Sequence, residues 1–342
     1  MLLSMLQQRA VLTLIASASS PGARLAPGGA RASAPVATKA ESTVPPAVGA
    51  PVLAHDLLQG ANVDWKPGSA KAPPQTCILV HGILGSRRNL LSFAKRLVDE
   101  HPDWQFLLVD LRCHGESCSL ASPPGGENTV DTAARDVIAL LNQLKIYPSM
   151  LVGHSFGGKV VLSMVLQTPT PSLPRPVQVW VLDTVPGDTW CDGGDHPRDT
   201  ISFCRTLTPP FESRKQLVTE LTGAGFTLGG AQWMTTNLKA RRGGSSAGFD
   251  WAFDLAGIAE LYASYEGTNL WPMLESQPRG LSVGFVRAEH SAFLWEDEVV
   301  GRIRELGSEV HLLPGSSHWV HTDNPDGLLD IMRPSFKSGT KA

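Results

Sequence analysis

Hydrophobic and polar positions switch between two periods along residues 76–183, and the switching predicts the architecture. Thr76–Val80, Gln105–Asp110, Met150–Gly153 and Val177–Asp183 are short, largely apolar runs of strand length. Between them, apolar residues recur every three or four positions. Asn89–Glu100 carries Leu90, Phe93, Ala94, Leu97 and Val98 at that spacing. Thr129–Ile146 places Val130, Ala133, Ala134, Val137, Ile138, Leu141 and Leu144 on one face, and Gly157–Gln167 is a third helical stretch. Strands this apolar have no face for water, and strands alternating with helices make a parallel sheet covered on both sides. The expected class is α/β, with a mostly parallel central sheet flanked by helices.

The alternation stops near Pro186 and resumes near Leu281. Helical spacing persists between them, as at Glu212–Thr222 and Leu255–Tyr265, with Trp190, Trp233, Trp251 and Trp271 and no convincing strand. This stretch reads as a helical cap inserted between two strands. A strand at Leu281–Val286, a helix at Glu296–Leu306, a strand at Glu309–Leu313 and a last helix from Pro325 follow. The implied organisation is a core over 51–186, a cap over 187–278 and the rest of the core over 279–338.

Residues 1–50 stand apart. No Asp or Glu precedes Glu41, whereas Arg9, Arg24, Arg31 and Lys39 lie among many Ala, Ser, Pro and Gly. That composition points to a disordered organelle transit peptide, chloroplast ahead of mitochondrion. An address-free tail, or a secretory signal built on Val11–Ala16, is the alternative. The net charge of −3 draws the chain toward neither nucleic acid nor anionic membranes. No apolar run approaches the roughly 20 residues of a membrane span. Five scattered cysteines, Cys77, Cys113, Cys118, Cys191 and Cys204, do not form a disulfide framework. Cys113 and Cys118 flank His114, but no second Cys/His pair stands at zinc-site spacing, so free thiols and no metal are expected.

Chemistry concentrates at Gly153-His154-Ser155-Phe156-Gly157, a G-x-S-x-G between a strand and a helix. Its glycines suit a strained strand-to-helix turn that lifts the serine oxygen out of the sheet above a helix N-terminus. A serine hydroxyl needs a base to take its proton. His318, in the loop after Glu309–Leu313, is the candidate, with His321 as its rival. The acid that orients the base stays open between Asp183, ending one strand, and Glu289, a few residues beyond another. Backbone N–H groups of Ile83, after His81-Gly82, and of Phe156 are the expected oxyanion donors. His81, His154, Ser291 and Trp319 are the candidate pocket residues, and His114 is read as hydrogen-bonding within its own loop.

HGILGS, DLRCHGES, GHSFGGKVV, WVLDTVPG and GSSHWVHTDNPDG, in this order, resemble the group of α/β-hydrolase domain-containing protein 11 and the bacterial YbfF-type esterases. WMTTNLK and FDWAFDL resemble that group's cap, and the resemblance implies a plant or green-algal member. The resemblance runs from about Ala54 to Phe336. It implies an α/β-hydrolase fold, a carboxylic ester hydrolase needing no cofactor, and Ser155, His318 and Asp183 as triad. It also implies that Ser291 lines the pocket. Where many relatives read G-G-N-S, this chain has Ala288-Glu289-His290-Ser291.

The expected activity is cleavage of carboxylic esters or thioesters of a small or acyl substrate through an acyl-enzyme on Ser155. The partner is that small molecule; no nucleic acid is expected, and a monomer is the default. The alternatives are a triad-retaining sensor or partner-protecting protein with little turnover, and a lyase or acyltransferase on the same fold.

Overall fold

The computed structural model describes residues 53–120, 127–167, 176, 178–189, 195–241, 248–293 and 295–336. The leader read over residues 1–50 lies outside these, as do Trp190 and Cys191. Among the described residues the core is a seven-stranded sheet of β1 (His55–Gln59), β2 (Thr76–Val80), β3 (Gln105–Val109), β4 (Met150–His154), β5 (Gln178–Leu182), β8 (Ser282–His290) and β9 (Glu309–Ser317). The spatial order is β1-β3-β2-β4-β5-β8-β9, parallel throughout except for β1, which runs antiparallel to β3.

Successive residues of a strand face opposite sides, and both sides are filled. Ile78, Val80, Leu107, Val109, Leu151, Val179 and Val181 pack toward α2 (Val130–Leu144) and α3 (Phe156–Gln167). Cys77, Leu79, Phe106, Leu108, Met150, Val152, Trp180 and Leu182 pack toward α1 (Leu91–Glu100) and the later α11 (Pro325–Met332). Each such aliphatic side chain contributes about 1.5–3 kcal/mol by leaving water. The α2 pattern begins where Thr129 caps it, its hydroxyl accepting from the Thr132 N–H. That helix stops at Lys145, which adopts the left-handed conformation at φ 54°.

Between β5 and β8 lie α4 (Pro197–Cys204), α5 (Arg214–Gly223), α6 (Leu228–Met234), β6 (Leu238–Ala240), β7 (Phe249–Trp251), α7 (Leu255–Gly267) and α8 (Trp271–Glu275). The stretch is not purely helical: β6 and β7 form an antiparallel pair, and Phe211 bridges to Phe249. Strands of three residues are too short to show a period, which is why the hydrophobic pattern does not reveal them. After β8 come α9 (Asp297–Glu305), then α10 (Val320–Asp323) and α11. Among the polar contacts that fix the inserted stretch over the sheet edge, the Asn237 amide donates to the Leu84 carbonyl at 2.9 Å, and the Asp254 N–H to the Cys113 carbonyl at 2.8 Å.

Candidate active site

Parallel register brings the ends of neighbouring strands level. Gly153 lies opposite Val181, and Val181 opposite Phe285. The residues just beyond those ends are stitched together: the Ser155 N–H donates to the Leu182 carbonyl and the Asp183 N–H to the Val286 carbonyl, each at 2.8 Å. Both turn sharply there, Ser155 at φ 53° and Asp183 at φ 49°. The left-handed region costs an L-residue roughly 1–2 kcal/mol. The turn at Ser155 also demands glycines. A Cβ on Gly153 would stand 2.1 Å from the Gly157 carbonyl oxygen, and one on Gly157 would stand 2.5 Å from that of Val80. Ser155 is thereby held at the first turn of α3, where unpaired backbone N–H groups and the helix dipole favour negative charge.

Asp183 is fully buried, and four donors converge on its carboxylate. Oδ1 accepts from the Ala288 N–H at 3.0 Å and the Trp295 indole N–H at 3.2 Å. Oδ2 accepts from the Ser291 hydroxyl at 3.0 Å and from His318 Nδ1 at 2.8 Å. A buried carboxylate is tolerated when donors replace its water in this way. With Nδ1 of His318 engaged as donor, Nε2 holds the lone pair of the neutral ring. His318 is brought to the Ser155 turn by its neighbour there, since the His154 Nε2–H donates to the His318 carbonyl at 2.7 Å and the two rings lie 4.6 Å apart.

The rival carboxylate lies elsewhere. The apolar run predicts an end to β8 at Val286, but the strand continues to His290, and its pleat buries Ala288 while turning Glu289 outward. There Glu289 accepts from the Gly315 N–H at 2.7 Å. The Ser291 hydroxyl, besides holding Asp183, accepts from the Phe293 N–H at 3.1 Å. His321 is buried and packs edge-on to His154 at 4.9 Å, and neither of its ring nitrogens has a hydrogen-bond partner among the described residues. It therefore packs through its ring. Trp319 lies between His154 and Trp233, at 5.4 and 4.7 Å.

Two histidines clasp the loop that carries Ile83. His81 accepts the Leu111 N–H on Nε2 at 3.0 Å and donates from Nδ1 to the Gly82 carbonyl at 2.8 Å. His114 accepts the Leu84 N–H on Nε2 at 3.0 Å and donates from Nδ1 to the Arg112 carbonyl at 2.8 Å. The sequence points to bonding of His114 within its own loop; one of its two bonds instead crosses to the Ile83 loop. Neither the Ile83 nor the Phe156 N–H has a protein acceptor among the described residues. Asp110, also buried, supports the same region by accepting from the Arg87 and Glu116 N–H groups at 2.7 and 2.8 Å and from the Arg87 guanidinium. Among the described residues, no group of three His, Cys, Asp or Glu is arranged to hold a metal ion.

Because both clasps need neutral rings, acid should loosen this edge. Burial lowers the pKa of His81 to about 4, of His114 to about 3 and of His321 to about 4. His154 is driven well below its usual value by burial and by the neighbouring His318. Unfolded histidines titrate near 6.5, so the unfolded chain binds more protons below that pH. Stability is present in full above about pH 6.5 and falls as pH drops toward 4, by about 1.4 kcal/mol per pH unit for each histidine kept neutral. Urea melts from pH 7.5 to 4.5 should show that slope, and His114→Asn should make it shallower. A flat wild-type profile would contradict it.

A profile of the alpha/beta hydrolase family matches residues 77–331, the span that carries every one of these groups. The chain belongs to the alpha/beta hydrolase family. Among curated relatives, it is 28% identical over 287 residues to the sn-1-specific diacylglycerol lipase ABHD11 of Mus musculus, covering 82% of this chain and 83% of that protein. It is 24% identical over 260 residues to the esterase YbfF of Escherichia coli (strain K12), covering 75% of this chain and 91% of that one. A solved marine microorganism esterase superposes with a TM-score of 0.64 at 19% identity, covering 83% of this chain and 98% of its own. The fold of this hydrolase is thus the α/β-hydrolase fold implied by the sequence resemblance.

Sequence reasoning missed Trp295, which donates to Asp183, and a pair beside the two turns, Thr184 and Tyr265, whose hydroxyls lie 2.6 Å apart. In the sequence Trp295 is an ordinary aromatic, Thr184 part of a turn, and Tyr265 one more apolar position of α7. Nothing local marks them, because each acts on residues distant along the chain or on a neighbour whose role is itself set by packing.

Proposed function

We propose that this hydrolase cleaves carboxylic esters or thioesters of a small or acyl substrate with Ser155 as nucleophile, His318 as base and Asp183 as orienting acid. The observation that carries the reading is the 2.8 Å hydrogen bond between Asp183 and His318 beside the left-handed Ser155. His318 Nε2 takes the Ser155 proton as the oxygen attacks the acyl carbonyl. The Ile83 and Phe156 N–H groups receive the oxyanion, the alcohol or thiol leaves with the proton, and water repeats the sequence to free the acid. The names of the relatives, a diacylglycerol lipase and an esterase, support an acyl ester as substrate. Short to medium acyl chains are the starting choice. The acid-poor leader supports import into an organelle, with the chloroplast favoured.

The test is steady-state release of p-nitrophenol from acyl esters, together with mass spectrometry of protein treated with a fluorophosphonate. Continuous turnover and an adduct on the Ser155 peptide are expected. A single burst without turnover would favour a ligand sensor, and an adduct elsewhere would remove Ser155 as nucleophile.

A further inference from the structure

Tyr265 belongs to the inserted stretch but is anchored to the core at three points around the reacting serine. Its backbone carbonyl accepts at 2.6 Å from Nζ of Lys159, the buried lysine on the first turn of α3. That same Nζ lies 4.8 Å from the centre of its ring. Its ring packs 5.8 Å from that of Phe156, the residue after Ser155, and 6.5 Å from Phe293, which itself meets His318 at 5.0 Å. Its hydroxyl is 2.6 Å from Oγ1 of Thr184, the residue after Asp183, on the side of the ring's neighbour Phe156 where the Ser155 turn lies.

The side chain is 1% exposed, so the hydroxyl's position is set by these contacts and not by water. Burial pushes the phenol pKa up, against the opposing pull of Thr184 and Ser155, so the group keeps its proton. The two hydroxyls at 2.6 Å share one hydrogen between them. With Thr184 donating, the phenol hydrogen is left for the serine oxygen.

We propose that Tyr265 is a further catalytic residue, whose hydroxyl, fixed by Thr184, donates a hydrogen bond to the Ser155 oxygen when that oxygen acts as leaving group. This rests on the acyl-enzyme reading above. In the second half-reaction the bond from water oxygen to acyl carbon forms and the bond from Ser155 oxygen to that carbon breaks. His318 delivers the proton to the departing oxygen. Tyr265 keeps its own proton and stabilises the charge developing on that oxygen, as hydrogen-bond donors do at reacting centres.

The experiment compares wild type with Tyr265→Phe, which keeps the ring and removes the donor, and with Thr184→Val, which removes the donor's support. With a p-nitrophenyl ester, kcat of Tyr265→Phe should fall about tenfold, the scale of one lost hydrogen bond, and KM should fall with it, leaving kcat/KM nearly unchanged, because slower release of the acyl group lowers both. A burst of about one equivalent of p-nitrophenol should accompany it as acyl-enzyme accumulates, and Thr184→Val should fall between the two proteins. A purely structural tyrosine would change the melting temperature and leave kcat and the burst as in wild type, and that result overturns the proposal. Should Tyr265→Phe not fold, an unaltered kcat in Thr184→Val overturns it equally. Absence of any Ser155 adduct in wild type would overturn the nucleophile reading as well; an adduct with equal turnover in all three proteins overturns this inference alone.

Discussion

Ser155→Ala should lower kcat for ester hydrolysis by about a millionfold and leave the fold intact, the scale seen when a serine hydrolase loses its nucleophile. The alanine keeps the Cβ that the crowded turn already accommodates and loses only the oxygen. A residual rate about a thousandfold above water should persist, because the Ile83 and Phe156 N–H groups still bind the carbonyl oxygen. His318→Ala should cost about as much as Ser155→Ala, and the double variant no more than either. Attack and proton removal are one step, so removing both partners removes one effect. Rate measurements on the three variants, with circular dichroism to show folding, decide the matter. If the losses multiplied, Ser155 and His318 would be acting independently and the proposed pairing would fail.

How much of this is legible in the sequence depends on how locally each feature is determined. Strand β4, the turn at Ser155 and helix α3 follow one another in the chain, and their apolar period and glycines reveal them directly. Strand β1 escapes notice because it is half-buried along its length and lies ahead of the alternating pattern. The choice between Asp183 and Glu289 is not decidable from sequence, since both stand near the end of an apolar run. It turns on how far β8 continues past Val286, which depends on pairing with β9, Arg287 opposite Leu312 and Ala288 opposite Leu313. Pairing between residues so far apart in the chain leaves no local trace. Tyr265 is the extreme case: it reads as core on α7, and only packing between distant parts of the chain brings its ring to Phe156 and its hydroxyl to Thr184.

The second large effect concerns that acid. Asp183→Asn should lower kcat/KM by about ten-thousandfold, whereas Glu289→Gln should stay within about twofold of wild type. The reasoning is tautomeric. The introduced amide has one acceptor and one donor group where the carboxylate had acceptors only. The Ala288 and Trp295 donors, both on Oδ1, hold the amide oxygen on their side and turn the NH2 toward His318 and Ser291. Ser291 can rotate its hydroxyl to accept. The His318 ring can accept on Nδ1 only by moving its proton to Nε2, where it faces the serine as a donor and cannot act as base. The protein should still fold, since each buried group keeps a partner. Glu289→Gln retains a carbonyl for the Gly315 N–H on a side chain 44% exposed and touches neither His318 nor Asp183. The comparison is read from kcat/KM with an acyl ester. A larger loss at residue 289 than at residue 183 would mean that the base is oriented from β8 after all.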